Sequence, residues 1–416
     1  MSYTSISDKI TPLQLEHAMR CIYDAQSIAI ITHQNPDGDA MGSSLAMRHW
    51  LHAIGKKQVT NIVPTSFPDF LAWMPGAESI IQYEQQPEAA VDAIREADLV
   101  ICTDLAEPNR VAALSDTLAE RFSDYENCKN NGNLADKADL LIIDHHLSSV
   151  CSEHPEQIAY HDIASASELV YRLAYQFAEL SRAKVGGTPN QHREYSETIL
   201  YNTREHIESI MVHDSRISVP FDAVLTPDFA TCIYTGMMTD TGNFSYNSCE
   251  PEMYSIVAML LTTGINKDAI YDRVFNAYSA DRMRLIGYCL YHKMKLFPEY
   301  HTALITLNRR EMYRFQAKSG DMEGIVNMPL QIKDIYYSVF MREDKIPPHQ
   351  MPEAGTAKVK AKISFRSQGN RPVNLLAREV FRGGGHMNAS GGEFFGSVDE
   401  AAQKFAEVMP KYMLKD

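Results

Sequence analysis

The chain reads as an α/β protein, with an N-terminal doubly wound, mostly parallel sheet followed by a smaller domain of different texture. Three observations predict it. Ser27–Ile31, Leu99–Thr103 and Leu140–Ile143 are continuous apolar runs of strand length, as expected of strands buried on both faces. Helical patterns separate such runs, for example Ala40 to Ile54, which Gly55 is placed to end. From about residue 296 the pattern shifts to short β-rich runs: His301 to Leu307, Ile335 to Met341 and Lys358 to Phe365. At 416 residues two domains are the natural expectation.

Taken in order, the first run leads into His33-Gln34-Asn35-Pro36-Asp37-Gly38-Asp39. This places an imidazole and two carboxylates on a strand-to-helix loop, where open α/β sheets bind ligands. The next two runs end similarly, in Asp104 and in Asp144-His145-His146. The segment Thr231 to Gly242 reads as a helix running into a Gly-containing loop and carries Asp240. Residues 122–138 and 183–197 are polar, lack apolar periodicity and read as surface loops. Helical patterns over 251–295 predict a connection between the domains, and Ile346 to Pro352 reads as a loop.

Composition narrows the function. Hydrophobic residues make up 45% and charged residues 22% of the chain, an ordinary globular balance. No uncharged apolar run is long enough to span a bilayer, and no basic-then-apolar leader is present. The seven cysteines are scattered and never form C-x-x-C, which suits a reducing, cytoplasmic setting. A net charge of −14 argues against a protein that coats long nucleic acid. Residues 296–416 nevertheless hold 17 Lys and Arg against 14 Asp and Glu. A basic lobe following an acidic, metal-seeking one suits a small polyanionic substrate.

His33, Asp37, Asp39, Asp104, His145 and Asp240 form a donor set of carboxylates and imidazoles without thiolates. Mn²⁺ or Mg²⁺ fits such a set better than structural zinc. Six ligands exceed what one ion needs, so two ions sharing a carboxylate is the economical reading. A capping aspartate in an Asn-Pro-Asp-Gly turn is the competing explanation for Asp37.

The sequence resembles the DHH phosphoesterase family, named for the triplet Asp144-His145-His146. Further likenesses are His33-x-Asn-Pro-Asp-Gly-Asp-Ala-x-Gly-Ser43, Asp104 with Arg110, Ser165 to Tyr171, and Thr239-Asp-Thr-Gly-x-Phe244. Arg382-Gly-Gly-Gly-His386 resembles the GGGH motif of the accompanying DHHA1 domain, although Arg382 stands where relatives often have glycine. The resemblance implies a DHH domain over 1–250, a helical connection over 251–295 and an α/β DHHA1 substrate-binding domain over 296–416. The active-site cleft would lie between the two domains. It implies one Mn²⁺ on His33, Asp37 and Asp104, and a second on Asp39, Asp104, His145 and Asp240, with Asp104 bridging. Asp144 would orient the ligands, and His146 would face the substrate phosphate. Asn35 and Arg110 would contact phosphate as well. Arg366, Gly384, Gly385 and His386 would bind the rest of the substrate.

The branch it resembles most degrades very short RNA to 5′-nucleoside monophosphates and dephosphorylates 3′-phosphoadenosine 5′-phosphate (pAp). Cyclic di-AMP hydrolysis, RecJ-like exonuclease action, polyphosphate or pyrophosphate hydrolysis and a non-catalytic nucleotide sensor or RNA-binding module are the alternatives. The family leads one to expect a homodimer whose partners are short RNA and small phosphonucleotides, without long duplex nucleic acid or membrane.

Overall fold

The computed structural model describes residues 6, 7, 9–105, 107–130, 139–146, 156–184, 221–318, 320–345, 359–385 and 387–413. The chain divides into two compact units, Met1–Asn276 and Ala277–Asp416.

The first unit is built on six parallel strands: β1 (Ser27–Ile31), β2 (Gln58–Val63), β3 (Ile81–Gln82), β4 (Leu99–Thr103), β5 (Asp139–Asp144) and β6 (Gln157–Ala159). Their order is β3-β2-β1-β4-β5-β6, with every pairing parallel. The continuous apolar runs follow from burial on both faces. Ile28 and Ile30 of β1, Leu99 and Ile101 of β4, and Leu141 and Ile143 of β5 face one core. The residues between them, Ala29 and Ile31, Val100 and Cys102, and Leu140 and Ile142, face another. The strand order reverses direction between β1 and β4. The carboxyl ends of these strands at such a switch point form a crevice that cannot be filled by a crossover helix.

Helices α1 (Pro12–Asp24), α2 (Gly38–Ala53), α3 (Pro87–Glu96), α4 (Ser115–Asn130) and α5 (Ala166–Lys184) accompany the sheet. They are followed by α6 (Pro227–Asp240), α7 (Pro251–Thr262) and α8 (Lys267–Phe275). The expected surface loop at 122–138 is corrected by α4, which carries the chain as helix through Asn130. Leu114 just before it and Leu118 and Phe122 within it recur every four residues on the β4–β5 core. The loop expected at 183–197 is likewise shortened, since α5 runs through Lys184; residues 131–138, 185–197 and the loop expected at 346–352 lie outside the described residues.

The segment 251–295 is divided between the units: α7 and α8 belong to the first, α9 (Ala280–Tyr288) to the second. The second unit holds β7 (Lys295–Phe297), β8 (Thr302–Leu307), β9 (Tyr337–Lys345), β10 (Val359–Ser367), β11 (Gly384–Gly385) and β12 (Ala389–Phe395). Their order is β11-β12-β10-β9-β8-β7, antiparallel except between β8 and β9. Helices α10 (Arg309–Arg314), α11 (Asn374–Val380) and α12 (Val398–Tyr412) complete it. Among the described residues no helix is long and apolar enough to cross a membrane.

Candidate metal centre

Three strand ends and two helix ends converge in the first unit. Two residues beyond β1 stands His33, whose Nδ1 lies 2.8 Å from the Gln34 carbonyl oxygen. A ring N–H donated there leaves Nε2 as the lone-pair nitrogen. That atom lies 3.2 Å from Asp104 Oδ2. Asp104 follows β4 directly, at φ 55°, a left-handed conformation that costs a non-glycine residue free energy. Its N–H donates to the Ile143 carbonyl at 2.8 Å, so the sheet itself holds the strained residue in place.

Asp37 and Asp39 are held by backbone amides. Asp37 caps α2, Oδ1 accepting from the N–H groups of Asp39 (3.0 Å) and Ala40 (3.1 Å). Asp39 Oδ2 accepts from Ala166 N–H at 2.7 Å and its Oδ1 from Ser167 N–H at 2.9 Å. The carboxylate at the start of α2 therefore also caps α5. Helices α2 and α6 run antiparallel in close contact, because a Cβ on Gly42 would stand 2.7 Å from the Cys232 carbonyl oxygen. Gly236 faces Ser167 and Asp39 in the same way. This glycine seam brings Asp240, the last residue of α6, alongside Asp39.

The outcome is two groups of candidate donor atoms, each within 4.8 Å: His33, Asp37 and Asp104, and Asp39, His145 and Asp240. His145 Nε2 lies 3.5 Å from Asp240, 3.6 Å from Asp104 and 3.7 Å from Asp39, which puts Asp104 beside both groups. Asp144 sits behind them, fully buried, its Oδ1 accepting from the His145 N–H at 3.0 Å. His146 Nδ1 stands 2.7 Å from the same oxygen and 3.3 Å from Asp104 Oδ1. A third group, Asp104, His145 and His146, also falls within 4.8 Å.

The electrostatics of the site suit cations. Burial and the neighbouring Asp104 charge push the Asp39 carboxyl up to about 7. Burial, opposed by His145 but reinforced by the Asp39 charge, holds Asp240 well above the usual carboxylate range. Burial opposes ionisation of Asp104 too, but the imidazoles of His145 and His33 beside it outweigh burial and hold its carboxyl well below that range. Burial disfavours a charged His33, yet its bond to Asp104 wins and raises it to about 9. Asp104 Oδ1 is buried without a hydrogen bond, an expensive state for a carboxylate oxygen unless a cation claims it. The residues present fit divalent cations: hard oxygen and imidazole donors, buried and crowded.

The other expected residues are placed as follows. Asn35 is exposed at φ 53°, its N–H donating to Thr65 Oγ1 at 2.6 Å. Arg110 accepts the Gln34 N–H on its carbonyl at 2.7 Å, and its charge is felt by His33. Arg366, Gly384 and Gly385 belong to the second unit. There Arg366 pairs across β12 with Ala389, next to the Ser390 that pairs with Gly385. Arg366 Nη1 donates to the Phe365 carbonyl at 2.9 Å. His386 lies outside the described residues. Sequence reasoning missed the Gly42–Gly236 seam, for which the Gly38-x₃-Gly42 spacing was the available signal. It assigned no role to the amides of Ala166 and Ser167, for which the only signal was the family likeness of Ser165 to Tyr171.

Residues 27–201 match the DHH family, N-terminal domain. The chain is 24% identical over 383 residues to the bifunctional oligoribonuclease and PAP phosphatase NrnA of Thermus thermophilus, covering 92% of this chain and 89% of that protein. An uncharacterised Mycoplasma pneumoniae protein is 26% identical over 192 residues, 46% of this chain and 53% of that protein. Among solved structures, an exopolyphosphatase-related protein from Bacteroides fragilis is 36% identical, with 98% of each chain covered and a TM-score of 0.73. The set of strand-end histidines and aspartates and these likenesses over nearly the full length agree: the chain belongs to the DHH family and is a metal-dependent phosphoesterase.

Proposed function

We propose that this phosphoesterase cleaves RNA of two to five nucleotides, including pApA, to 5′-nucleoside monophosphates, and removes a phosphate from pAp. The observation that carries this reading is the pair of donor groups flanking one carboxylate, Asp104, in a chain similar over 92% of its length to an oligoribonuclease and PAP phosphatase. His33, Asp37 and Asp104 would hold one Mn²⁺ and Asp39, Asp104, His145 and Asp240 the other; Mg²⁺ is the alternative ion. Such a pair of ions supplies an acidified water and neutralises phosphoryl oxygens during in-line displacement.

The chain's own residues do the rest. Asp144 fixes the imidazole of His146 through Nδ1, leaving Nε2 to stabilise phosphoryl charge or protonate the departing oxygen. Asn35 and Arg110 contact the phosphate undergoing attack. Arg366 takes the substrate's terminal phosphate, a role suited to the fork of its guanidinium, while Gly384, Gly385 and His386 take the remainder of the nucleotide. Residues 1–250 thus supply the metal centre and 296–416 substrate binding, in a cytoplasmic enzyme that is a homodimer.

A second reading is polyphosphate hydrolysis, favoured by the name of the Bacteroides fragilis relative. A competition panel with Mn²⁺ separates the two. It comprises pAp, pApA, a ribodinucleotide, cyclic di-AMP, polyphosphate and long single-stranded DNA. Preference for pAp, pApA or the dinucleotide is the expected result; preference for polyphosphate or long DNA overturns it.

A further inference from the structure

Helix α9 ends in a turn, Cys289–Lys293, wound more loosely than an α-helix. Turns of this π type are rare and concentrate at functional sites. This one leaves the Tyr291 side chain 85% exposed. Helix α10 lies against it: Tyr288 Oη donates to Glu311 Oε1 at 2.8 Å, and Lys293 Nζ reaches the same oxygen at 2.7 Å. Helix α10 turns Met312 toward the local core. Its other side carries Arg310, Tyr313 and Arg314, at the i, i+3, i+4 spacing of one helix face. Tyr313 is 87% exposed.

From Tyr291 a run of rings leads to the end of α10. Tyr291 meets His292 edge-on at 4.8 Å, His292 lies 5.4 Å from Tyr288, and Tyr288 lies 5.1 Å from Phe315. The Arg314 guanidinium stands 5.9 Å from the Tyr288 ring and 5.5 Å from that of Phe315. Glu311, the acid at the centre, is already engaged by Lys293 and Tyr288. Arg309, Arg310 and Arg314 form no ion pair among the described residues. Although the whole chain carries −14, residues 277–416 hold 21 Lys and Arg against 15 Asp and Glu. The local field is therefore suited to a polyanion, and the open rings to something flat.

We propose that this aromatic and basic patch is a second binding surface, for single-stranded nucleic acid, on which Tyr291 and Tyr313 stack bases and Arg309, Arg310 and Arg314 hold phosphates. Its π turn packs on β8 and α10 on β9, where the Arg309 N–H donates to Glu343 Oε2 at 3.2 Å, whereas the Gly-rich strand β11 forms the edge beyond β10 and β12. Three strand spacings separate β9 from β11, about 14 Å, so the patch is distinct from the Gly-rich motif. The proposal goes beyond the phosphoesterase reading and does not depend on which substrate is cleaved.

The test uses the full chain stripped of metal with EDTA, so that nothing is cleaved, and a labelled single-stranded RNA of about a dozen nucleotides followed by fluorescence anisotropy. Tyr291→Ala with Tyr313→Ala should weaken binding about tenfold or more. Arg310→Glu should lower the salt dependence by about one phosphate contact. Both variants should hydrolyse a ribodinucleotide with Mn²⁺ at the wild-type rate, which separates this surface from the metal centre. Unchanged RNA binding in both variants, or displacement of RNA by inorganic polyphosphate as readily as by unlabelled RNA, overturns the proposal. So does a wild-type oligomer that the tyrosine substitutions dissociate, since a second copy of the chain would then cover the patch.

Discussion

Gly42→Ala asks whether the metal centre depends on how closely α2 approaches α6. In isolation the change favours the helix, since alanine exceeds glycine in a helix interior by about 1 kcal/mol. Here the added carbon would stand 2.7 Å from the Cys232 carbonyl oxygen and 2.9 Å from Gly236 N and Cα. All three obstacles are backbone, so no rotamer change relieves them, and ordinary contact requires the helices to part by about 0.5–0.7 Å. Overpacking of this kind costs about 1–3 kcal/mol. Set against the propensity gain, the net expectation is a loss of about 1 kcal/mol, or a few degrees in Tm.

The larger effect is on cation binding. Asp39 lies on one side of the seam and Asp240 on the other, and metal–oxygen distances tolerate only about 0.2 Å. Parting the helices should weaken Mn²⁺ affinity by about 10–100-fold, measured by calorimetric titration of EDTA-stripped protein. Gly287→Ala in α9 is the control, because its Cβ would meet no atom within 4 Å. If Gly42→Ala bound Mn²⁺ like the wild type and melted as high as Gly287→Ala, the seam would not be what sets the carboxylate spacing.

Three further outcomes follow from the geometry. Asp104→Asn keeps the shape of the residue but not its charge, and should cut kcat/KM by about a thousandfold or more while the metal-free protein still folds by circular dichroism. Arg366→Ala should lower kcat/KM for pAp by about 10–100-fold, the worth of a charge-assisted hydrogen bond, with Mn²⁺ affinity unchanged by titration. The raised Asp39 and His33 make the metal-free fold lose stability with rising pH, between 3.8 and about 7 for Asp39 and between 6.5 and about 9 for His33. Cations need both groups deprotonated, so the Tm gained on adding Mn²⁺ should widen from pH 6 to pH 9; a gap that narrows would contradict the site.

Strands β1, β4 and β5 were legible because both of their faces are buried, which writes the strand into an uninterrupted apolar run. Asp104, His145 and Asp240 were legible because each stands where such a run or helix stops. The second sheet was harder. Its β11 is two glycines with no period at all, recognisable only through the Gly-rich motif that contains it. Helix α4 is hidden in the sequence because its apolar residues precede a polar stretch without a period of its own. The contacts that position Asp39 were invisible for a deeper reason: Ala166 and Ser167 lie 127 and 128 residues away and act through backbone amides, which every residue except proline possesses.

Cap and ligand are not competing roles for these aspartates, and the two can be separated experimentally. A carboxylate has about four lone-pair sites, so a bond from a helix amide orients it without exhausting it. Asp37 uses one oxygen for both of its amides, and an asparagine there could accept both through its own Oδ1. Asp39 uses one oxygen for each amide, so in Asp39→Asn the side-chain NH₂ must face a buried backbone N–H that it cannot satisfy. Losing that acceptor costs about 1–3 kcal/mol. The comparison belongs at pH 6 in EDTA, below the value of about 7 for Asp39, where the wild-type carboxyl is mostly neutral and removing its charge relieves little. Under those conditions Asp39→Asn should melt below Asp37→Asn by a few degrees, while both lose Mn²⁺ affinity. Equal melting would mean that the α5 amides do not hold Asp39, and that its position is set by the glycine seam alone.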